Sequence, residues 1–258
     1  MKRFVLTIAG SDTTSGAGVQ ADIKTFRDFG LYGLNVVTAV TSQNHKGVQD
    51  SFTLPISVIQ SQLKAVSSSF KIGFVKTGML CSSSVVKTVA EFISRNRYRL
   101  LIDPVIYSKN NYRMLDQKGI GSLKKYLIPL AYLVTPNLHE AEIICGFKIK
   151  TFEDLENAAF FFTRTGAENV LIKGGHFNKY TGISPGNDIL YDGRKFYMFP
   201  GKFMQNKKVH GTGCILSSAI AANLTLGKSL TEAINLSKCY LQERISASVS
   251  HREGFSFI

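Results

Sequence analysis

Short apolar runs and amphipathic stretches alternate along most of this chain, and that alternation constrains its fold more than any other feature. "FVLTIAG", "LNVVTAVTSQ", "FKIGFVKTGM", "YRLLIDPVI", "AYLVTPN" and "NVLIKGG" read as strands. "AGVQADIKTFRDFG", "PISVIQSQLKAVSSSF", "SSVVKTVAEFISRN", "QKGIGSLKKYLIPL", "LHEAEIICG" and "TFEDLENAAFFFTRTG" read as helices; Pro55 opens one, and Gly30 and Gly146 close others. The pattern predicts an α/β fold, a mostly parallel central sheet with helices on both faces. "DILYDGRKFYMF" predicts an antiparallel hairpin around Asp192-Gly193, followed by helices over 211–226 and about 229–249.

In such sheets ligands bind beyond the carboxyl ends of the strands. Polar, glycine-rich punctuation stands at those ends: "GSDTTSGAG", "TSQN", "KTGM", "DPV", "TPN" and "KGGH". Six separate segments are thus expected to meet on one edge.

The chain has 258 residues, 44% of them hydrophobic, with no low-complexity break or internal repeat, so a single domain over 1–258 is expected. Formal net charge is +13, which favours anionic partners. The basic residues are scattered, the nearest approach to a cluster being "KFMQNKK". Zinc-finger, RNP-type and basic-zipper patterns do not occur, so phosphorylated small molecules are expected rather than nucleic acid. Cys81, Cys145, Cys214 and Cys239 show no CxxC spacing and read as reduced thiols of a cytoplasmic protein. "MKRFVLTIAGSD" imitates a signal peptide but fits a first strand better, and no segment approaches the length of a membrane span.

Two tempting motifs fail. "LGKS" ends like a P-loop, but Ala222 stands where its first glycine belongs. "GAGVQA" matches G-x-G-x-x-A, yet it lies well past the first strand, and Gln43-Asn44 stand where an acid should close the second. "HGTGCILSSAIAANLTLG" says more. Gly211, Thr212, Gly213 and Cys214 open an apolar helix, where backbone N–H groups lack internal partners and the helix dipole adds positive charge. Glycines there let a phosphate approach the amides. The same field is expected to lower the pKa of the Cys214 thiol, making it a base or a polariser of a hydroxyl; simple core packing of Cys214 is the competing reading. Asp103 ends a buried strand and needs a partner. Asn137 and Glu140 sit three apart at a helix start. They fit either a capping box or, with Asp103, a Mg²⁺ site held through carboxylates and water. Lys173 ends a strand and either reaches nucleotide phosphates or snorkels to the surface.

The run "AGSDTTSGAGVQADIKTFRDFGLYG" resembles the opening of hydroxymethylpyrimidine/phosphomethylpyrimidine kinases, thiamine-pathway members of the ribokinase-like superfamily. "VTAVTSQNHKGVQ", "VKTGML", "IDPV", "TPNLHEAE", "LIKGGH", "DILYDG" and "HGTGCILSSAIAANLTLG" follow in that family's order, from about Ala9 to about Lys238. The resemblance implies a ribokinase-like three-layer fold and ATP-dependent phosphorylation of 4-amino-5-hydroxymethyl-2-methylpyrimidine and then of its monophosphate. It implies that Gly211, Thr212 and Gly213 form the anion hole and that Cys214 takes the place of a catalytic Asp. It implies that Gln43 reads the aminopyrimidine and that Gly10, Ala17, Met79 and Val105 line its pocket. It assigns Asp103 and Glu140 to Mg²⁺, and Asn137, Lys173 and Lys238 to ATP. A homodimer is implied as well. The chain departs from the family pattern at Thr14-Ser15, where Ser-Gly is common, and at "SKNNYRML" and the tail "SHREGFSFI". A pyridoxal kinase of the same subgroup and a non-catalytic pyrimidine-binding regulator are the competing functions. Gln43 speaks against the first, and the retained Cys214, Asp103, Glu140 and Lys173 against the second.

Overall fold

The computed structural model describes residues 3–108, 110–174, 183–201, 208–250 and 255–257. Its centre is a nine-stranded sheet. β1 (Phe4–Asp12) lies between β2 (Tyr32–Asn44) and β4 (Ile72–Thr77), and β5 (Leu100–Ile102), β6 (Ala131–Val134) and β7 (Val170–Ile172) continue outward, all parallel. Antiparallel strands close both edges: β3 (Gly47–Thr53) on β2, and β8 (Asp188–Tyr191) with β9 (Phe196–Phe199) beyond β7.

Side chains along these strands alternate between two cores, as a sheet covered on both faces requires. Leu6, Ile8, Val75, Leu100, Ile102 and Val134 pack under one helical layer. That layer holds α2 (Ile56–Ser69), α3 (Ser83–Asn96), α4 (Gln117–Ser122), α5 (Leu138–Cys145) and α6 (Phe152–Arg164). Val5, Phe74, Leu101, Leu133, Leu171 and Leu190 face the other layer, made by α1 (Gly18–Asp28), α7 (Thr212–Thr225) and α8 (Leu230–Ser246). In α7 every residue from Ile215 to Leu224 is buried. A helix apolar all round has to be enclosed, and α1, α8 and the sheet enclose it.

The expected alternation, the two-sided covering and the hairpin around Asp192-Gly193 are all present. Three local readings need correction, and one strand was missed. β3 had no assignment from sequence; its polar, exposed residues are those of an edge strand, supported by pairing with β2. "QKGIGSLKKYLIPL" is helical only to Ser122. It then widens into a π-type turn over Leu123–Leu127 and tightens into a 3₁₀ turn over Ile128–Leu130, where Pro129 ends regular α-helical bonding. β5 stops at Ile102, because Pro104 cannot donate to a ladder. α8 ends at Ser246, and Val249–Ser250 form β11, which joins β12 (Phe255–Phe257) and β10 (Lys208–Val209) in a small separate sheet. The end of the "KGGH" segment and most of "KFMQNKK" lie outside the described residues.

Candidate active site

The carboxyl ends of β2, β1, β4, β5, β6 and β7 point the same way, and the start of α7 lies against them. Gly211 is the N-cap of α7 in the left-handed region, at φ 81°. It has no side chain to accept from the first-turn amides of Thr212, Gly213 and Cys214, so those amides remain available to an anion. A β-carbon at Gly211 would stand 1.8 Å from the Gly16 carbonyl oxygen. Glycine is therefore required by contact as well as by φ, and the loop after β1 is pressed onto the loop before α7.

Lys173, at the end of β7, donates to Asp103 Oδ1 at 2.7 Å, and Ser217 Oγ on α7 donates to Asp103 Oδ2 at 3.2 Å. A β-carbon at Gly213 would be 3.4 Å from Lys173 Nζ and 4.0 Å from Asp103 Oδ2, which puts this pair directly beside the first turn of α7. Burial pushes the Asp103 carboxyl up, but Lys173 and Lys76 more than offset it, leaving its pKa below the usual range. Glu140 behaves oppositely. Burial and the Asp103 charge push it up to about 7, against the pull of Lys173 and of the backbone N–H groups of Asn137 and Ile106. The capping box is present as well: Asn137 Oδ1 accepts from the Glu140 amide and Glu140 Oε2 from the Asn137 amide, each at 2.8 Å. Asn137 also bridges to Lys173. The cap sets Glu140 in place, and its remaining charge interacts with Lys173.

The expectation for the Cys214 thiol is overturned. Desolvation pushes it up to about 11; Lys76 pulls it down, while Asp22 and Asp103 push it further up. The Gly18 amide hydrogen-bonds to the thiol and favours the thiolate, as the helix start does, but the loss of water outweighs both. Cys214 holds its proton at neutral pH.

The other expected residues fall into three groups. Gly10 and Met79 touch, since a β-carbon at Gly10 would be 2.8 Å from Met79 Sδ. Val105 packs with Met79 on the apolar patch of Ala39 and Met114. Ala17 donates its amide to Asp12 Oδ2 at 2.8 Å and adjoins Gly211. Gln43 reaches His210 at 2.5 Å. Lys238 stands apart. Its Nζ donates to Asp188 Oδ2 at 2.5 Å and to the Gly186 carbonyl at 2.9 Å, while Asp188 Oδ1 accepts from the Gly174 amide at 2.8 Å. Lys238 thus meets the edge one residue beyond Lys173, through Asp188.

Several polar residues at or beneath the edge were not foreseen. Asp12 accepts from the Thr14 amide, the Ala17 amide and His210 Nε2; burial pushes its carboxyl up, but the bonds from His210 and Thr14 hold it at about 2. Its position as the last residue of "IAGSD" was the available signal. Lys76 and Asp22 form a fully buried pair beneath Cys214, joined by Thr7 Oγ1 at 2.5 Å and Ser218 Oγ at 2.6 Å. A charged residue inside the otherwise apolar strand "IGFVKT" was the visible clue to Lys76. Among the described residues no cluster of three His, Cys, Asp or Glu side chains is placed to cage a metal ion, and no helix is long and apolar enough to cross a membrane.

The phosphomethylpyrimidine kinase family model matches residues 12–257. The hydroxymethylpyrimidine/phosphomethylpyrimidine kinase of Aquifex aeolicus is 41% identical over 256 residues, covering 99% of both chains. The thiamine biosynthesis bifunctional protein ThiED of Geobacter sulfurreducens is 43% identical over 242 residues, 93% of this chain and 49% of that longer protein. The structure of Staphylococcus aureus pyridoxal kinase in complex with AMP-PCP and pyridoxal superposes with a TM-score of 0.88 at 32% identity, covering 100% of this chain and 93% of that one.

Proposed function

This chain belongs to the phosphomethylpyrimidine kinase family and is a phosphotransferase, and we propose that it phosphorylates 4-amino-5-hydroxymethyl-2-methylpyrimidine and then its monophosphate, with ATP as donor, in thiamine biosynthesis. The observation that carries this reading is the meeting of the open first turn of α7 with the Lys173–Asp103 pair and Cys214. Phosphoryl transfer passes through a loose transition state whose charge lies on the equatorial oxygens, so catalysis is largely positioning and electrostatic stabilisation. The amides of Thr212, Gly213 and Cys214 supply oriented donors, and Lys173 supplies a cation beside them. Cys214, protonated, hydrogen-bonds the acceptor hydroxyl and orients it; a resident thiolate base is not needed for a loose transition state. The patch of Gly10, Met79 and Val105 supports the apolar face of the ring, and Gln43 its polar edge.

Mg²⁺ keeps several of its waters and takes one or two carboxylates together with phosphate oxygens. Asp103 and Glu140 flank Lys173 and fit that demand, whereas a metal caged by protein alone has no ligand set among the described residues. Bound there with the nucleotide, Mg²⁺ would neutralise developing phosphate charge. Lys173 fits a phosphate contact. Asn137 and Lys238, engaged as cap and as Asp188 partner, fit support of the nucleotide-side loops. Four unpaired thiols fit a reducing, cytoplasmic setting, and sedimentation velocity tests the homodimer.

The likeness to a pyridoxal-bound kinase makes pyridoxal the second reading. A panel of the aminopyrimidine, its monophosphate and pyridoxal, each with ATP and Mg²⁺, decides. Turnover of both pyrimidines in preference to pyridoxal is expected; turnover of pyridoxal alone overturns the proposal, and binding without turnover of any returns the regulator reading.

A further inference from the structure

Asp12, His210 and Gln43 come from the end of β1, the loop before α7 and the end of β2, and they meet at one nitrogen. His210 Nε2 lies 3.1 Å from Asp12 Oδ2 and 2.5 Å from the amide end of Gln43 placed as Nε2. Asp12 Oδ2 already accepts from the Ala17 amide, and its partner oxygen from the Thr14 amide. Held at about 2, Asp12 is a carboxylate at any working pH, and a carboxylate only accepts. The imidazole nitrogen facing it therefore carries the hydrogen. A nitrogen that carries a hydrogen offers no lone pair to the Gln43 amide. A primary amide has two ends of similar shape, exchanged by a half-turn of its last torsion. With its NH2 toward His210, two donors would confront each other at hydrogen-bond distance. With Oε1 toward His210, Nε2–H is shared between two acceptors.

We infer that the Asp12–His210 pair locks the Gln43 amide with Oε1 on the imidazole and its NH2 toward the substrate, so that this side chain reads an acceptor nitrogen of the ring and His210 is a specificity-positioning residue. The inference rests on the placement of Gln43 against the substrate ring proposed above. It narrows that placement. An amide free to turn would serve the exocyclic amino group equally well, whereas a locked one selects the ring nitrogen. His210 directly precedes Gly211, the N-cap of α7, so the proposed ring reading and phosphate binding share one short segment.

The orientation is tested without substrate by long-range ¹⁵N–¹H correlation spectra of the labelled protein. His210 Nε2 is expected in its protonated form; an unprotonated Nε2 overturns the lock. The reading is tested by KM for the aminopyrimidine, its analogue lacking the amino group, and two pyridine analogues, each with one ring nitrogen replaced by CH. Gln43→Met should raise KM by about 10-fold for the parent and for the deamino analogue alike, the scale of one lost hydrogen bond, with kcat held within about twofold. One pyridine analogue should be indifferent to the substitution. If instead the deamino analogue alone is indifferent, the amide oxygen reads the amino group and the inference falls. If no KM moves while the spectra still show a protonated Nε2, it is the placement of Gln43 at the ring that fails, and the acceptor reading with it. His210→Leu, which leaves the amide free to turn, should reduce the difference between the deamino and the sensitive pyridine analogue. His210→Gln, whose NH2 reaches the place of the imidazole Nε2, should restore that difference; failure to do so with an unchanged Tm overturns the positioning role.

Discussion

Lys76 Nζ donates to both carboxylate oxygens of Asp22 at 2.8 Å, and neither side chain has any solvent exposure. Thr7 and Ser218 complete the acceptor sites of Asp22, so the pair ties β4, α1, β1 and α7 together directly beneath Cys214. Breaking such a pair leaves a buried charge uncompensated, at about 3–5 kcal/mol. Lys76→Met should therefore lower unfolding free energy by that order in urea titrations. Asp22→Asn combined with Lys76→Met leaves no buried charge; the amide oxygen accepts from one hydroxyl and its NH2 donates to the other, which turns to accept, and most of the loss should be recovered. Additive losses in the double variant would show that the pair is not coupled.

Gly211 and Gly30 both have positive φ but opposite surroundings. A β-carbon at Gly30 meets nothing within 4 Å, while one at Gly211 collides with the Gly16 carbonyl. Gly30→Ala should cost about 1–2 kcal/mol of left-handed strain in stability and nothing in rate. Gly211→Ala should displace the first turn of α7, whose amides are proposed to hold the phosphate, and lower kcat by about 10²-fold or more, on the scale of losing oriented donors. Steady-state kinetics alongside thermal melts separate the two.

Cys214 should be slow to alkylate at pH 7 and progressively faster as pH rises towards about 11, because its folded-state pKa is raised by desolvation. Mass spectrometry after timed iodoacetamide exposure reads this site by site. Fast modification at neutral pH would contradict the raised pKa. Cys214→Ala should lower kcat by about 10²-fold, the scale on which losing a group that positions a reactant costs rate, with ATP affinity retained.

Glu140 gives stability a specific pH slope. Its folded pKa of about 7 exceeds the ordinary value of 4.5, so between those values the folded state binds more protons than the unfolded state. Its contribution is most favourable below pH 4.5 and is lost as pH rises through 7. Glu140→Gln removes this slope. The variant's stability relative to the parent should improve from pH 5 to pH 8 by an amount of order 1–3 kcal/mol. A difference that is flat in pH would place the titration elsewhere.

Lys173→Met should lower kcat by about 10²–10³-fold, with pyrimidine affinity little changed, because the lost cation lies beside the first turn of α7, where the phosphate is proposed to bind, and not on the patch proposed for the ring. Measuring KM for each substrate together with kcat checks the split. A rise confined to the pyrimidine KM would place Lys173 at the ring.

Periodicity and cap chemistry are properties of neighbours in sequence, so they could be read directly. The two-sided parallel sheet, the edge where its strands end, the glycine-opened helix at 211–214, the Asn137–Glu140 box and the turn around Asp192-Gly193 are all of this kind. β3 escaped because an exposed edge strand has weak apolar contrast, and its strand state depends on β2 beside it. Lys173 and Asp103 were visible as strand-end residues, but their contact across 70 positions was not.

The acid–base character of the site was decided only by folding. From sequence, Cys214 at a helix start suggested a low pKa; in the fold, desolvation of the half-buried thiol, with Asp22 and Asp103 near it, outweighs Lys76 and reverses the sign. Asp12 meets His210 across 198 positions and Ser218 meets Asp22 across 196. Desolvation and Coulomb interaction depend on what stands within a few ångströms, whatever its place along the chain. The sequence by itself therefore determined the sheet, the helix starts and the edge where the strand ends gather, and the tertiary structure alone decided which of those side chains are charged and which distant side chains meet there.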